Sequence, residues 1–313
     1  MSDVLAELKG RDFLCTSDYT NAQVQALIDL AVQLKAEKKA GKPHHRHAGK
    51  HVAIYFEKPS NRTRVSFEVG IADLGAHPIH LRKEEINLGV RETIADTART
   101  LSRYVDGIMI RTFAHQDAVD LAEYATVPVI NGLTDDLHPC QVMADLLTIQ
   151  ERLGAFKGRK LTYIGDGNNM AHSLMLGGAQ VGMDVTIACP KDYQPLAGYV
   201  EKAQAIGDAF GARMTVTDDI EAAARDASVL YTDVWASMGQ ESEAEARRKH
   251  FEGYQVNDRL LTLAKPEAIV LHCLPAHRGE EITEDVLERF ADVIFDEAEN
   301  RLHAQKAVMA AIL

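Results

Sequence analysis

The stretch HVAIYFEKPSNRTRVSFEVG, residues 51–70, decides the fold. HVAIYF (51–56) reads as a strand that stops at EKPS, where Pro59 has no amide hydrogen for further ladder pairing and Ser60 is a good helix N-cap. Beyond it Val65, Val69 and Ala72, with Phe67 and Leu74 less regularly, form an apolar helical face that ends at Gly75. The turn from strand to helix presents backbone N–H groups and the positive end of the helix dipole. Ser60 and Thr63 add hydroxyls there, and Arg62 and Arg64 add planar forks suited to phosphate oxygens. Taken alone, the segment admits a second reading, an N-cap carrying two surface arginines.

Strand-like and helix-like runs alternate through the rest of the chain. HPIHL (77–81), DGIMIR (106–111) and VPVIN (127–131) continue the first series of strands. KLTYIG (160–165), MDVTIA (183–188), ARMTV (212–216), SVLYTD (228–233), AIVLHC (268–273) and DVIFD (292–296) form a second. Helical patterns cover 20–40, 62–74, 92–103, 138–153, 195–210 and 219–226. Alternation of this kind predicts α/β architecture with mainly parallel sheets flanked by helices. Ten strands exceed an ordinary single sheet, so two domains are expected, 1–148 and 149–298. The final segment NRLHAQKAVMAAIL, apolar at Leu302, Ala307, Val308, Ala311 and Ile312, reads as an amphipathic helix, with 299–313 returning to the first domain.

Composition bounds the function. The 313 residues, 46% of them hydrophobic, suffice for two α/β cores. A formal net charge of −12 disfavours nonspecific binding to nucleic acid or to an anionic membrane, so any anion site must be a local basic pocket. Cys15, Cys140, Cys189 and Cys273 are widely spaced with no CxxC pair, which predicts reduced thiols and a cytoplasmic protein. The N-terminus lacks a signal-peptide core, and no run approaches the ~18 apolar residues of a membrane span. KPHHRHAGKH (42–51) is His-rich, but without a Cys or carboxylate partner at ligand spacing it reads as a solvated loop.

Three further stretches fall at the carboxyl ends of strands, where open α/β sheets bind ligands. Arg111 ends DGIMIR; DLHPCQVMADLL sets His138 and Gln141 three apart at a helix opening; LHCLPAHRGEE ends a strand with Cys273, Leu274 and Pro275. Several cations and amide donors converging, without a metal, suit a ligand with a phosphate and a carbonyl. His138 by itself is equally at home as a core histidine; its place beside Pro139 and Gln141 at a strand-to-helix junction favours the functional reading.

SNRTR, HPCQ and HCLP, in this order and at these separations, resemble the aspartate/ornithine transcarbamoylase family. GDGNNMAHS, DVWASMGQE and DEAENRLHAQKAV narrow the resemblance to its ornithine carbamoyltransferase branch, from about residue 10 onward. The resemblance implies carbamoyl phosphate held by Ser60, Asn61, Arg62 and Thr63, with Arg111, His138, Pro139, Cys140, Gln141, Cys273, Leu274 and Arg301 completing the shell. It implies L-ornithine held by Asn169 at the α-carboxylate and Asp233 at the α-ammonium, with Ser237 and Met238 closing over it. Arg111, His138, Thr63 and Cys273 would act in the chemistry, with neither metal nor cofactor. A homotrimer or a multiple of trimers is implied too, Asn87 reaching a neighbouring subunit's site. Two positions depart from the family pattern: Asn61 stands where Thr is usual, and Asn87 where Gln is common. The charged stretch QESEAEARRKHFEGY after the SMG turn reads as the flank of a mobile lid and equally as an exposed helix.

Other classes fit less well. YIGDGNNMAHSL begins like a dinucleotide fingerprint, but its sixth position is Met170 and the next strand ends TIACP, without an acidic ribose-binding residue. A non-catalytic copy has no reason to keep Arg62, Arg111, His138 and Arg301 together. A sister enzyme acting on aspartate would need a cationic pocket, and putrescine has no carboxylate for Asn169.

Overall fold

Backbone hydrogen bonding in the computed structural model, which describes residues 2–313, sorts the strands into two wholly parallel sheets. The first holds β1 (His51–Phe56), β2 (His77–Arg82), β3 (Gly107–Arg111) and β4 (Val129–Leu133), ordered β2-β1-β3-β4. The second holds β5 (Lys160–Ile164), β6 (Asp184–Ala188), β7 (Met214–Thr217), β8 (Val229–Thr232) and β9 (Ile269–His272), ordered β7-β6-β5-β8-β9. Parallel strands need crossover helices, and those helices cover the sheet faces. Accordingly β3, β8 and β9 are buried at every position, whereas the edge strand β2 is only half-buried.

The chain forms two compact units, one of residues up to Leu147 together with Asn300–Leu313, the other of Thr148–Glu299. In the first, Ala53, Tyr55, Ile108, Ile110 and Val129 from the strands pack against Ala98, Ala118 and Leu121 from the helices Ile94–Leu101 and His115–Tyr124. In the second, Ile164, Ala188, Leu230 and Val270 pack against Ala223, Ala224, Leu260, Val286, Leu287 and Ile294.

The strand expected at 292–296 is not there: DVIFD opens the 22-residue helix Ala291–Ile312. A short β-branched run reads alike as strand or buried helix, and only the periodicity of the residues beyond it separates the two. Here the buried positions Ile294, Glu297 and Arg301 recur at helical spacing, but two of the three are charged, so the stripe is hidden from a hydrophobic pattern. Farther on, burial ceases to be a stripe. His303 through Met309 are buried consecutively, Gln305 and Lys306 included, so the segment is enclosed rather than amphipathic.

The His-rich loop is partly anchored, not simply solvated. His44 Nε2 lies 2.9 Å from the buried Lys306 Nζ, and His47 Nε2 lies 3.3 Å from the Ala310 carbonyl oxygen. Lys306 also donates to Asp73 at 3.0 Å. No disulfide joins the four cysteines, and among the described residues no helix is long and apolar enough to cross a membrane.

Candidate active site

Each sheet reverses its strand order beside its first strand, between β1 and β3 and between β5 and β8. Crevices beyond the carboxyl ends of such strands are where open α/β sheets take ligands. The ladder pairs Phe56 with Arg111 in one sheet and Ile164 with Thr232 and Thr232 with His272 in the other, so the residues just beyond these pairs emerge side by side.

In the first unit the geometry starts at Ser60. It is the N-cap of the helix Asn61–Asp73, with extended backbone and Oγ accepting the Thr63 amide at 3.2 Å. The cap turns Thr63 inward, where its Oγ1 accepts from Arg111 Nη1 at 3.4 Å and Arg301 Nη2 at 3.0 Å. Arg301 also donates to Gln141 Oε1 at 2.7 Å and Gln305 Oε1 at 3.0 Å. Those amides pass the network on, Gln141 to Asp145 at 2.8 Å and Gln305 to Ser66 at 2.8 Å. One buried hydroxyl thus joins the end of β3, the starts of the helices Asn61–Asp73 and Pro139–Leu153, and the C-terminal helix.

His138 precedes Pro139, which occupies the first helical position, where a missing N–H costs nothing. Burial, then the fields of Arg301, Arg111 and Arg62, hold its imidazole well below 6.5, so it is neutral at physiological pH. Cys140 is a packing group: burial pushes its thiol up to about 12, and Sγ donates to the Asn131 carbonyl at 3.3 Å. Arg62 is half-buried. Arg64, two positions on, is exposed and paired with Glu68 at 2.9 Å, so the two forks of the motif lie in different surroundings. Asn61 is exposed at the first helical position. Asn87 is exposed, left-handed at φ 50°, and ends the short helix Lys83–Ile86; its hydrogen bonds stay within its own turn. The structure does not bring it to the Thr63 network.

In the second unit the turn after β5 passes through Gly165, Asp166 and Gly167 to Asn168, which caps the helix Asn169–Gln180. Gly167 is required there, since a Cβ would collide with the backbone of Gln194 and Pro195. Asn168 Oδ1 accepts the amides of Met170 at 2.9 Å and Ala171 at 3.4 Å, and its Nδ2 donates to Asp233 Oδ2 at 3.4 Å. Asp233 Oδ1 accepts from the Val234 amide at 2.8 Å and from Cys273 Sγ at 3.1 Å. Asp233 and Cys273 are therefore brought together. Asn169 is half-buried in the first helical turn; Ser237 donates its amide to Gln240 Oε1 at 3.0 Å, and Met238 is 43% exposed.

Leu274 has φ 58°, a left-handed conformation that disfavours a side chain, and its bond to Pro275 is cis. The Leu274 amide donates to His272 Nδ1 at 2.8 Å, which leaves the ring proton on Nε2, 3.0 Å from Glu281 Oε1. Glu281, nine positions on, is the acidic partner of His272, and both side chains are fully buried. Ligand atoms of Asp233, His272 and Cys273 lie within 4.8 Å of one another, a spacing that a cation can use. Both ring nitrogens of His272 are already committed, however, which favours a hydrogen-bonded junction.

Arg247 escaped the sequence reading. Buried inside the charged flank, its Nη1 donates to Asp166 at 2.7 Å and to the Trp235 carbonyl at 3.1 Å, and its guanidinium lies over the Tyr193 ring at 5.0 Å. Nothing in EARRKH distinguishes it from its exposed neighbours. Burial raises the Asp166 carboxyl while Arg247 opposes the rise.

One α/β unit carries a cationic cradle at Thr63 and the other a carboxylate junction at Asp233, groups suited to an anion and to an amine respectively. Residues 11–151 match the aspartate/ornithine carbamoyltransferase carbamoyl-P binding domain, and residues 157–312 match the Asp/Orn binding domain; the chain belongs to that family. Its sequence is 55% identical over 307 residues to the ornithine carbamoyltransferase of Anoxybacillus flavithermus, covering 98% of each chain. Among solved structures it is similar to ornithine carbamoyltransferase from Pyrococcus furiosus, with a TM-score of 0.94, 52% identity and 97% of each chain covered. It is also similar to the anabolic enzyme from Campylobacter jejuni, with a TM-score of 0.90, 37% identity and coverage of 96% and 97%.

Proposed function

We propose that this chain transfers the carbamoyl group of carbamoyl phosphate to the side-chain amine of L-ornithine, giving L-citrulline and phosphate, in arginine metabolism. The observation that carries the reading is the buried junction at Thr63, where Arg111 and Arg301 converge on one hydroxyl beside a neutral His138. Full-length identity to ornithine carbamoyltransferases supports the choice of acceptor.

In this proposal the unit that ends at Leu147 and resumes at Asn300 binds carbamoyl phosphate. Ser60, Asn61, Arg62, Thr63 and Arg301 take the phosphate; Arg111, His138 and Gln141 take the carbamoyl end, with Pro139 and Cys140 shaping the turn. Cys273 and Leu274 border the carbamoyl group. The other unit binds ornithine, Asn169 at the carboxylate, Asp233 at the α-ammonium, and Ser237 and Met238 over the side chain. A side-chain amine titrates near 10.4, so its neutral form at pH 7 costs on the order of 4.6 kcal/mol. Excluding water lowers that cost by disfavouring the ammonium. The amine then attacks the carbamoyl carbon, and Arg111, His138 and Thr63 stabilise the oxyanion, each fixed donor contributing about 2.7–4 kcal/mol. Collapse breaks the bond to phosphate, which leaves with the amine proton, so no dedicated base is needed. A thiolate at Cys273 would favour the ammonium and so oppose formation of the neutral amine. Cys273 serves instead as a polar neighbour or transient proton acceptor, not a nucleophile, and its contact with the Asp233 carboxylate supports that.

The assembly proposed with this reading is a homotrimer or a multiple of trimers, the Asn87 loop serving a neighbouring subunit; the exposure of Asn87 and of Val90, at 76%, supports it. The proposed compartment is the cytoplasm. A colorimetric assay with ornithine, putrescine, N-acetylornithine and aspartate in parallel tests the function. Citrulline from ornithine alone is expected, and preferential carbamoylation of another amine overturns the assignment.

A further inference from the structure

We propose that Glu297 is a positioning residue for the ornithine-side site, holding the ends of β8 and β9 so that Asp233 and Cys273 meet. The proposal rests on the reading of Asp233 as the amino-acid-binding carboxylate. Glu297 is fully buried on the helix Ala291–Ile312. Its Oε1 accepts from the Tyr231 hydroxyl at 3.1 Å, and its Oε2 accepts from the His272 amide at 2.9 Å. A carboxylate is costly to bury unless such donors surround it, so the two bonds account for its place in the core.

The positions of those donors give the bonds their meaning. The β8–β9 ladder ends at the pair Thr232–His272, and Asp233 and Cys273 are the next residues on each strand. β9 is an edge strand, so an amide turned away from β8 has no neighbouring strand to accept it. Glu297 supplies that acceptor one residue before Cys273. Tyr231 lies on β8 two residues before Asp233.

A second line reaches Asp233 from the other side. The Tyr231 ring packs beside Tyr163, with centroids 6.0 Å apart, and the Tyr163 hydroxyl donates to Asn168 Oδ1 at 3.4 Å. Asn168 is the residue that donates to Asp233. Two routes from one carboxylate thus fix the sulfur and the amide that touch Asp233, while Glu297 itself is fully buried.

The test compares Glu297→Ala, Glu297→Gln and Tyr231→Phe with the wild-type enzyme, measuring KM for both substrates. The amide of Gln can accept from the His272 N–H and donate to the tyrosine oxygen, so it keeps both bridges. Glu297→Ala is expected to raise the ornithine KM about ten-fold or more, Tyr231→Phe about three-fold, with the carbamoyl phosphate KM within about two-fold in both. Glu297→Gln should stay within about three-fold of wild type on both substrates. An unchanged ornithine KM, an equal rise in both constants, or a Gln variant as impaired as Ala overturns the proposal. If Glu297→Ala does not fold, Tyr231→Phe and Glu297→Gln decide it by the same criteria. Native alkylation by iodoacetamide gives a readout independent of turnover, because Cys273 is the half-exposed cysteine and the other three are buried. Faster labelling of Cys273 in Glu297→Ala, but not in Glu297→Gln, is expected, and equal rates in all variants contradict it. If the wild type makes no citrulline, the functional reading fails while this labelling result still judges the role of Glu297.

Discussion

The two units place their candidate residues at equivalent points of similar sheets, yet the electrostatics are opposite. In the first, the charges acting on His138 are Arg301, Arg111 and Arg62, all of which resist a further proton. In the second, burial and then Asp233 and Asp166 act on Tyr163, whose hydroxyl is held well above its usual 10. Both sheets reverse their strand order, and in the proposed function the side chains at the strand ends decide between an anion and an ammonium. Guanidinium forks suit phosphate, and a hydrogen-bonded carboxylate suits an amino group.

The largest effect that could break this contrast is expected at Arg111. Arg111→Ala should lower kcat about 10²–10³-fold, the loss of one oxyanion donor, while the ornithine KM hardly moves. A smaller effect of opposite selectivity is expected at Asp233. Asp233→Asn should raise the ornithine KM roughly ten- to hundred-fold, corresponding to about 1.5–3 kcal/mol for a charged hydrogen bond. Steady-state kinetics with each substrate varied would expose the contrast as false if either variant raised both constants equally.

His138 sharpens the comparison through pH. Its folded-state pKa is depressed, so below the ordinary 6.5 the unfolded chain binds a proton that the folded chain refuses. The associated stability is intact above pH 6.5 and is lost, at up to about 1.4 kcal/mol per pH unit, as pH falls toward the folded pKa. Urea midpoints of wild type and His138→Asn, measured from about pH 7.5 down to about pH 5, should diverge in slope, the variant being flatter. Parallel slopes would mean that neither burial nor the three arginines holds the His138 imidazole neutral. The smallest effect belongs to Arg64→Ala. Its exposed pair with Glu68 is worth about 0.3–0.5 kcal/mol, and both KM values should match wild type.

Legibility in the sequence depended on whether a residue's partners lie nearby in the chain. β1 was readable to its ends because Pro59 and Ser60 punctuate it. Ser60, Thr63, Arg111, His138 and Gln141 stood out as candidates because they sit at strand ends and helix starts, where local signals are strong, and the structure joins Thr63, Arg111 and Gln141 through Arg301. Arg64 could not be told from Arg62 without the helix phase that turns it to solvent. Buried charges were the main blind spot. Arg247 finds Asp166 from 81 residues away, and Glu297 finds Tyr231 from 66, separations over which no local pattern operates. The same polar burial made 292–296 look like a strand, since Glu297 and Arg301 interrupt the apolar stripe of a helix.

On the proposed function, the arginines around Thr63 hold the phosphate group and the carboxylate junction does not. Calorimetric titration of inorganic phosphate into wild type, Arg62→Ala and Asp233→Ala tests it most directly. Wild type and Asp233→Ala should bind phosphate alike, and Arg62→Ala should show no measurable heat. Undiminished binding by Arg62→Ala, or its loss in Asp233→Ala, would contradict the account.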